Sequence, residues 1–236
     1  MHHSHFNSIH STQIYLKDNL NELQTHATDI LITANEQTQG IGRSRSKWDS
    51  YSNSIAMSFT LKPNSNPTMT PLEIGVLCVL FFEKFYHKKL CLKWPNDLLT
   101  SEGLKCGGII CQYINPQTVI AGLGVNLGSN QGAFAPNHYK HGLGTVDSTL
   151  EINPKDMKTI SSDLYQFILS NRIHSAHDLQ TLFNNQCYHI GKLVRIDDED
   201  TKREGRFVGI GLNGEAIVEI EGQKKPFFSS SLTMIN

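Results

Sequence analysis

The sequence has almost no excess charge. Its 236 residues carry 21 lysines and arginines against 22 aspartates and glutamates, which gives a formal net charge of −1. A chain without a surplus of cations has no general attraction for a polyanion such as DNA, so any anion binding has to be local. The hydrophobic content of 39% is enough for one sizeable core with a small appended module.

Long apolar runs and paired cysteine motifs are also missing. The most hydrophobic stretch, IGVLCVLFF at residues 74–82, is too short to span a bilayer. The first ten residues, MHHSHFNSIH, contain no apolar core of a signal peptide. We interpret them as a frayed polar start, and their histidines leave a metal site as the alternative. The cysteines are odd in number, form no C-x-x-C pair and lie mostly in apolar runs, which indicates buried thiols and a cytoplasmic protein: Cys78, Cys91, Cys106, Cys111 and Cys187.

The order of strand-like and helix-like patterns predicts an α+β fold with a mixed sheet backed by helices. Helical spacing of apolar residues occurs at residues 12–23, 71–87, 153–172 and 175–187. The second of these is apolar nearly all round, as expected of a helix buried against a sheet. Strand-like runs occupy residues 29–37, 53–62, 89–97, 103–114 and 118–128. The last three are expected to be neighbours in a meander.

The pattern changes near residue 188 to short strands separated by turns. These strands predict a small antiparallel barrel, so we place a domain boundary there. The segment GIGLNG matches the glycine spacing of a dinucleotide site, but a strand follows it where a helix is required. Asn213 and Gly214 are instead typical of a type I′ hairpin turn.

The polar loop QTQGIGRSRSKWDS at residues 37–50 is the first candidate for binding chemistry. Gly40 and Gly42 allow backbone N–H groups to approach an anion, and Arg43 and Arg45 present planar donors to phosphate or carboxylate. Trp48 is suited to stacking on a base. The alternative is an exposed basic loop in which Trp48 belongs to the core.

Three later motifs carry polar groups at the ends of strands. Asn96 and Asp97 follow a proline in KWPNDLL and are expected to point from a turn. In LKCGGIICQ, Lys105 precedes paired glycines. In IAGLGVNLG, Gly122 and Gly124 precede Asn126. Taken singly, these motifs also fit a plain turn, a surface lysine and a strand bulge.

Taken in order, HSTQ, QTQGIGR…KW, KWPNDLL, LKCGGII and GLGVNLG resemble the successive motifs of biotin protein ligases, the biotin–[acetyl-CoA-carboxylase] ligases, over essentially the whole chain. The resemblance implies that biotin and MgATP form biotinyl-5′-AMP, which then biotinylates a lysine of a carboxyl carrier domain. It also implies a class II synthetase-like catalytic domain at residues 1–188 and an SH3-like module at residues 189–236. Some relatives carry an N-terminal helix-turn-helix, but this chain reaches HST within about ten residues. We therefore expect a monofunctional enzyme that binds no nucleic acid and no membrane, and a homodimer is left open.

The resemblance assigns roles to individual residues. Lys105 and Arg43 are implied as the catalytic pair. The residues implied for biotin are Ser11, Thr12, Gln13, Gln37, Gly40, Gly42, Arg43, Lys105, Gly108, Gly122 and Gly124. Those implied for ATP and the adenylate are Arg43, Arg45, Trp48, Asn96, Asp97, Lys105 and Asn126. Mg²⁺ is expected near Asn96, Asp97 and Asn126, without a direct protein ligand being assigned.

The chain departs from the pattern of the family at several positions. Ile41 and Ser46 interrupt the arginine-rich loop, which is commonly G-R-G-R-x-G-R. Gln13 replaces an Asn, and Gln112 replaces a Glu. Two alternatives stay open: a lipoate–protein ligase or octanoyltransferase of related fold, whose R-R-x-x-G-G-G arrangement we do not find, and a non-catalytic nucleotide-binding module.

Overall fold

A seven-stranded mixed sheet forms the centre of the molecule. The computed structural model describes residues 1–43, 46–48, 53–128, 142–150, 153–198, 201–228 and 231–235. The sheet order is β1-β2-β3-β7-β6-β5-β4, with β1 and β2 parallel and the other neighbours antiparallel. The strands are β1 His2–Ile9, β2 Ile30–Gln37, β3 Ser54–Leu61, β4 Leu90–Lys93, β5 Asp97–Thr100, β6 Lys105–Asn115 and β7 Thr118–Asn126. The predicted mixed sheet is confirmed, but the meander has one strand more than expected, because β5 lies between β4 and β6.

In the described residues, five α-helices cover the two faces of this sheet. They are α1 Thr12–Asp18, α2 Leu20–Gln24, α3 Thr70–Tyr86, α4 Pro154–Ser170 and α5 Ala176–Gln186. Leu16, Leu20 and Leu23 of the first two helices pack with Ile30, Ile32 and Ile120 in a small cluster on one face. On the other face, α3, α4 and α5 form a larger core with the strand residues that alternate with those of the first face, such as Met57 and Leu123. The part of the first face beyond α1 is left for a binding site.

The expectation of a frayed N-terminus is wrong. Residues His2–Ile9 form an edge strand that pairs in parallel with β2. His3 Nε2 and His5 Nδ1 each lie 2.9 Å from Thr33 Oγ1 on that neighbour. An edge strand is held by backbone hydrogen bonds on one side, so polar residues are tolerated and give no apolar alternation. In the described part of the chain, no three His, Cys, Asp or Glu side chains group as a metal site.

Two further elements differ from the prediction. The helix expected at residues 12–23 breaks at Asn19, whose Nδ2 donates to the Tyr15 carbonyl at 2.9 Å and competes with the regular helical bonds. Asp97 does not lie in a turn. It is the first residue of β5 and pairs with Lys93 on one side and Gly108 on the other.

The C-terminal strands form a second, antiparallel sheet of order β11-β10-β9-β8-β12. Their bounds are β8 Leu193–Asp198, β9 Thr201–Ile210, β10 Ala216–Ile220, β11 Gln223–Phe227 and β12 Ser231–Met234. The described residues show no pairing between the outer strands β11 and β12, so the SH3-like barrel stays a prediction. The hairpin between β9 and β10 is present, but only Gly214 has positive φ (79°), so a type I′ turn is wrong.

The two sheets share one apolar core. Val194, Ile196 and Phe207 of the second sheet belong to the same buried cluster as Leu92 and Trp94 of the first. Trp94 Nε1 donates to the Gly214 carbonyl at 2.9 Å, so the β9–β10 turn is fixed against the motif that contains Asn96. Over the described residues, no helix combines the length and the apolar character needed to cross a membrane.

Candidate functional site

The floor of the site is built from glycines on neighbouring strands. Gly124 pairs with Gly108, and Gly108 pairs with Asp97. Two positions along, Gly122 pairs with Ser58. Alternate residues of a strand share a face, so all of these positions lie on the α1 side of the sheet.

The glycines leave room for side chains from other elements. A Cβ at Gly122 would lie 2.7 Å from Gln13 Oε1, and one at Gly124 would lie 2.5 Å from Trp48 Cζ2. Both contacts are shorter than real Cβ contacts, so Gln13 and Trp48 rest directly on the strand backbone. A Cβ at Gly108 would meet Trp48 at 3.6 Å, an ordinary contact. Gly124 is therefore required by the packing of the indole, and a side chain at Gly122 would displace Gln13 and Ile110.

Most of the predicted site residues line a single cavity of about 210 Å³. Those brought together are Ser11, Thr12, Gln13, Gln37, Gly42, Arg43, Trp48, Asn96, Asp97, Lys105, Gly108, Gly122 and Gly124. The sequence interpretation gave no role to several further lining residues, which are Ile41, Ser46, Lys47, Met57, Ser58, Ile109, Ile110 and Leu123. Of these, Ile41 and Ser46 had been noted only as departures from the motif of the family.

Two predicted residues do not line this cavity, and one cannot be placed. Gly40 is buried and its carbonyl accepts from Trp48 N at 2.9 Å, so it closes the base of the loop. Asn126 is fully buried, and its Oδ1 accepts from Ser54 Oγ at 2.9 Å. Arg45 lies outside the described residues. Gln112 borders a neighbouring cavity instead.

One end of the cavity is neutral and rich in hydrogen-bonding groups. Gln37 Oε1 accepts from both Thr12 N (2.9 Å) and Thr12 Oγ1 (3.0 Å). Thr12 Oγ1 also lies 2.8 Å from the Oγ atom of Ser58, which belongs to strand β3 of the sheet. Ser11 is the N-cap of α1, and Gln13 follows in its first turn. The start of α1 thus holds several amide and hydroxyl groups at the cavity wall.

The other end is cationic. Lys105 Nζ lies 2.6 Å from Asp97 Oδ1, and Lys93 Nζ lies 3.3 Å from Asp97 Oδ2. Burial alone would raise the pKa of Asp97, but the two lysines outweigh it and hold the pKa below its ordinary value. Two ammonium groups around one carboxylate leave a net positive charge. Lys105 Nζ also lies 6.0 Å from the centroid of the Trp48 ring.

The turn between β4 and β5 is fixed to the floor by Asn96. Its backbone carbonyl accepts from Ile109 N, and its Nδ2 donates to the Ile109 carbonyl, both at 2.9 Å. The amide nitrogen therefore has a structural role, and the side-chain oxygen is left for contact with a ligand. Both carboxylate oxygens of Asp97 form ion pairs with lysines, so Asp97 is not suited to bind a metal ion directly.

The described part of the basic loop folds back on itself beside the cavity. Gly42 N donates to the Ser46 carbonyl at 2.7 Å, and Ser46 Oγ donates to the Arg43 carbonyl at 2.8 Å. Ile41 pairs with Lys47 as an antiparallel bridge. Arg43 is exposed and borders both this cavity and the neighbouring one. A closing motion of this loop stays a prediction.

Comparison with solved structures identifies the same fold in biotin ligases. A biotin protein ligase from Aquifex aeolicus in complex with biotin and ATP matches with a TM-score of 0.80 and 23% identity, over 99% of this chain and 98% of that chain. A biotin acetyl coenzyme A carboxylase synthetase from Helicobacter pylori matches at 0.65 and 19%, over 95% and 99%. A biotin protein ligase from Leishmania major in complex with biotinyl-5-AMP matches at 0.62 and 16%, over 100% and 98%.

The sequence comparisons give one assignment. A search of curated proteins finds no match. The model of the Biotin/lipoate A/B protein ligase family matches residues 5–130, which is more than half of the chain. The chain therefore belongs to the biotin/lipoate A/B protein ligase family.

Proposed function

We propose that this chain activates biotin with MgATP and transfers it to a lysine of an acceptor domain. The observation that carries the proposal is the polarity of one cavity, which has a neutral amide and hydroxyl end near Gln13 and a cationic end at Lys105. Biotin has a matching order of groups: a cyclic urea, an apolar ring and chain, and a carboxylate. The family and the fold of the solved relatives support the same activity.

In the first step, a carboxylate oxygen of biotin forms a bond to the α-phosphorus of ATP while the bond to the departing pyrophosphate breaks. Both reactants are anionic and repel each other. A unit charge about 4 Å from an opposite charge contributes roughly 4 kcal/mol at an effective dielectric near 20. Lys105 is positioned to lower this repulsion as charge shifts in the transition state. Arg43 at the cavity edge is the second candidate cation.

Magnesium enters this scheme as part of the substrate. Mg²⁺ prefers oxygen ligands and retains waters, so phosphate oxygens of ATP can hold it with little help from the protein. The Asn96 side-chain oxygen is the group of this chain best placed to contact that shell. Trp48 supplies an aromatic surface beside Lys105 for the adenine.

In the second step, the neutral amine of the acceptor lysine attacks the acyl carbon of the mixed anhydride. The carbon–oxygen bond to AMP breaks, and an amide forms. The proposed partner is the biotin carboxyl carrier domain of a carboxylase. The five cysteines are free thiols, which suits the proposed reducing, cytoplasmic location. An SH3-like module at residues 189–236 is part of the same proposal.

A lipoate or octanoate ligase is the closest alternative, because the family model covers lipoate enzymes as well. The test is incubation of the chain with ATP, Mg²⁺, one of the three acids and an acceptor domain. The release of pyrophosphate and the intact mass of the acceptor are then measured. We expect acid-dependent pyrophosphate release with biotin and the added mass of one biotinyl group. Release with lipoate or octanoate alone would reassign the substrate, and no release with any acid would favour a non-catalytic binder.

A further inference from the structure

We infer that Gly144 is a positioning residue for Lys105, and that Asn126 holds Gly144 in place. Both residues act on the reaction through the backbone of the lysine and touch no substrate. The inference rests on the proposed activation of biotin and extends it, because it names what fixes the cation beside the reacting groups. It also gives Asn126 a role different from the ATP contact that the resemblance implies.

The backbone hydrogen bonds of Lys105 go to residues 142–144. Pairing between β6 and β7 begins only at Gly107, two residues after Lys105. The backbone N–H of Lys105 donates to the Gly142 carbonyl at 3.2 Å, and the Lys105 carbonyl accepts from Gly144 N at 2.9 Å. The N–H and C=O groups of one strand residue point to the same side, so this short segment receives both of them.

Asn126 fixes Gly144 from the other side. Its Oδ1 accepts from Ser54 Oγ at 2.9 Å, which leaves Nδ2 to donate to the Gly144 carbonyl at 3.5 Å, the longest of these contacts. The Asn126 backbone carbonyl also accepts from Val146 N at 2.8 Å. Asn126 is fully buried and does not border the cavity. Gly144 therefore lies between Asn126 and Lys105 and is hydrogen-bonded to both.

The turn between β5 and β6 leaves no room for a side chain at residue 144. A Cβ at Gly144 would lie 2.8 Å from Leu104 Cβ and 2.9 Å from Thr100 Cγ2. Both contacts are shorter than real Cβ contacts, and Leu104 Cβ is attached directly to the backbone, so it cannot move aside without a shift of the chain. Gly144→Ala therefore separates residues 142–144 from the Lys105 backbone, and the side chains that line the cavity stay the same.

A shift of the Lys105 backbone affects its ammonium group. The ammonium lies 2.6 Å from Asp97 Oδ1 and has to meet both the carboxylate and the phosphate in the transition state. Misplacement of a group at the reacting centre by about 1 Å can lower a rate about 100-fold. We therefore expect Gly144→Ala to lower kcat. The KM for biotin should change less, because the groups at the neutral end of the cavity are untouched.

A double-mutant cycle tests whether Gly144 acts through the lysine. Biotin-dependent pyrophosphate release is measured for the unmodified chain, Gly144→Ala, Lys105→Met and the double variant, and each rate is referred to the folded fraction measured by circular dichroism. We expect Gly144→Ala to lower kcat roughly 10- to 100-fold when residue 105 is lysine, and less than about twofold when it is methionine. The same loss in both backgrounds overturns the inference, because Gly144 then acts independently of the ammonium.

A second variant decides the matter even where the methionine variants are too slow to compare. Ser54→Ala frees the Asn126 amide without altering residues 142–144. We expect kcat to fall roughly 3- to 10-fold, as for the loss of one hydrogen bond, and the Lys105 amide to exchange faster with deuterium. Ser161→Ala removes another buried hydroxyl, which donates within α4 to the Met157 carbonyl, and should change neither quantity.

The outcomes separate the inference from the proposed function. A lower kcat in Ser54→Ala with unchanged exchange of the Lys105 amide overturns the inference, since Asn126 then acts without moving the lysine. An unchanged kcat with faster exchange overturns it as well, because the position of the backbone then does not matter to the reaction. Absence of biotin-dependent release by the unmodified chain overturns the proposed function, and is seen before any variant is compared.

Discussion

At the scale of single residues, the charge of Lys105 is the feature on which the proposed chemistry depends. Its ammonium lies 2.6 Å from Asp97 and borders the cavity, where it can also meet an incoming anion. Lys105→Met keeps the apolar stem and removes the charge. We expect biotin-dependent pyrophosphate release to fall about 100-fold or more. Lys89→Met, which removes an exposed lysine, is the matched control. Equal rates in the two variants would remove Lys105 from the mechanism.

The ion pairs of Asp97 with Lys93 and Lys105 predict an effect of pH on the stability of the protein. The pKa of Asp97 is lowered in the folded state, so its contribution to stability is present above the ordinary aspartate value and is lost as pH falls through the folded value. Lys93→Met removes one of the two positive charges that lower the pKa of Asp97, while the carboxyl group stays buried, so that pKa rises. The loss of stability on acidification should therefore be smaller in Lys93→Met, because the Asp97 carboxyl group then titrates at closer pH values in the folded and the unfolded chain. The measurement is the urea midpoint between about pH 3 and pH 6, relative to the ordinary aspartate pKa near 3.9. If the urea midpoint of Lys93→Met depends on pH in the same way as that of Lys89→Met, the proposed effect of Lys93 on Asp97 is contradicted.

At the scale of elements, the basic loop and strand β7 are fitted to each other through Trp48 and Gly124. Gly124→Ala would place a methyl group 2.5 Å from the indole, so Trp48 has to leave its position. Overpacking of this kind costs roughly 1–3 kcal/mol. We expect the emission of Trp48 to shift to longer wavelength, while the other tryptophan, Trp94, stays buried. Gly108→Ala, with only ordinary contacts, should show a smaller shift. Equal shifts would contradict this packing.

The junction between α5 and the second sheet contains a buried histidine. His189 lies with its ring 4.0 Å from that of Phe207, and burial, together with Lys93 and Lys192, lowers its pKa from 6.5 to about 3. The unfolded chain binds a proton that the folded chain does not, so stability falls as pH drops below 6.5.

His189→Gln should therefore show a shallower loss of stability between neutral and acidic pH, although it starts from a lower value. Chemical denaturation at several pH values in this range measures it. His177→Gln, at a side chain 79% exposed, is the control. The same slope in both variants would show that His189 does not titrate in this way.

The elements differ in how well the sequence revealed them. Helix α3 is apolar over most of its length, and strands β2, β3, β6 and β7 each contain a short apolar or β-branched stretch, so the sequence predicts these elements. β1 is polar because it lies at an edge, and β5 was hidden because Asp97 looks like a turn residue. Ser58 was missed as well, because one serine within a buried strand gives no signal until the register places it beside Gly122. The pairing of Lys93 with Asp97 likewise depends on a hairpin that spacing alone does not define.

At the scale of the whole molecule, the second sheet shares its core with the first. Phe207 and Val194 belong to the same buried cluster as Leu92, and Gly214 binds Trp94. We therefore expect one cooperative unfolding transition in which tryptophan emission and far-UV circular dichroism coincide. Two separate transitions would show that residues 189–236 fold independently of the rest. The boundary at residue 188 would then separate two independently stable domains, and not only two patterns in the sequence.

The orientation of the substrate in the cavity is the central claim, and a crystal structure with biotin and a non-hydrolysable ATP analogue tests it most directly. The account predicts the cyclic urea beside Gln13 and Ser58, with Lys105 Nζ within about 3 Å of both the biotin carboxylate and an α-phosphate oxygen. A structure with the urea at the Lys105 end, or with Lys105 remote from both anions, would contradict it.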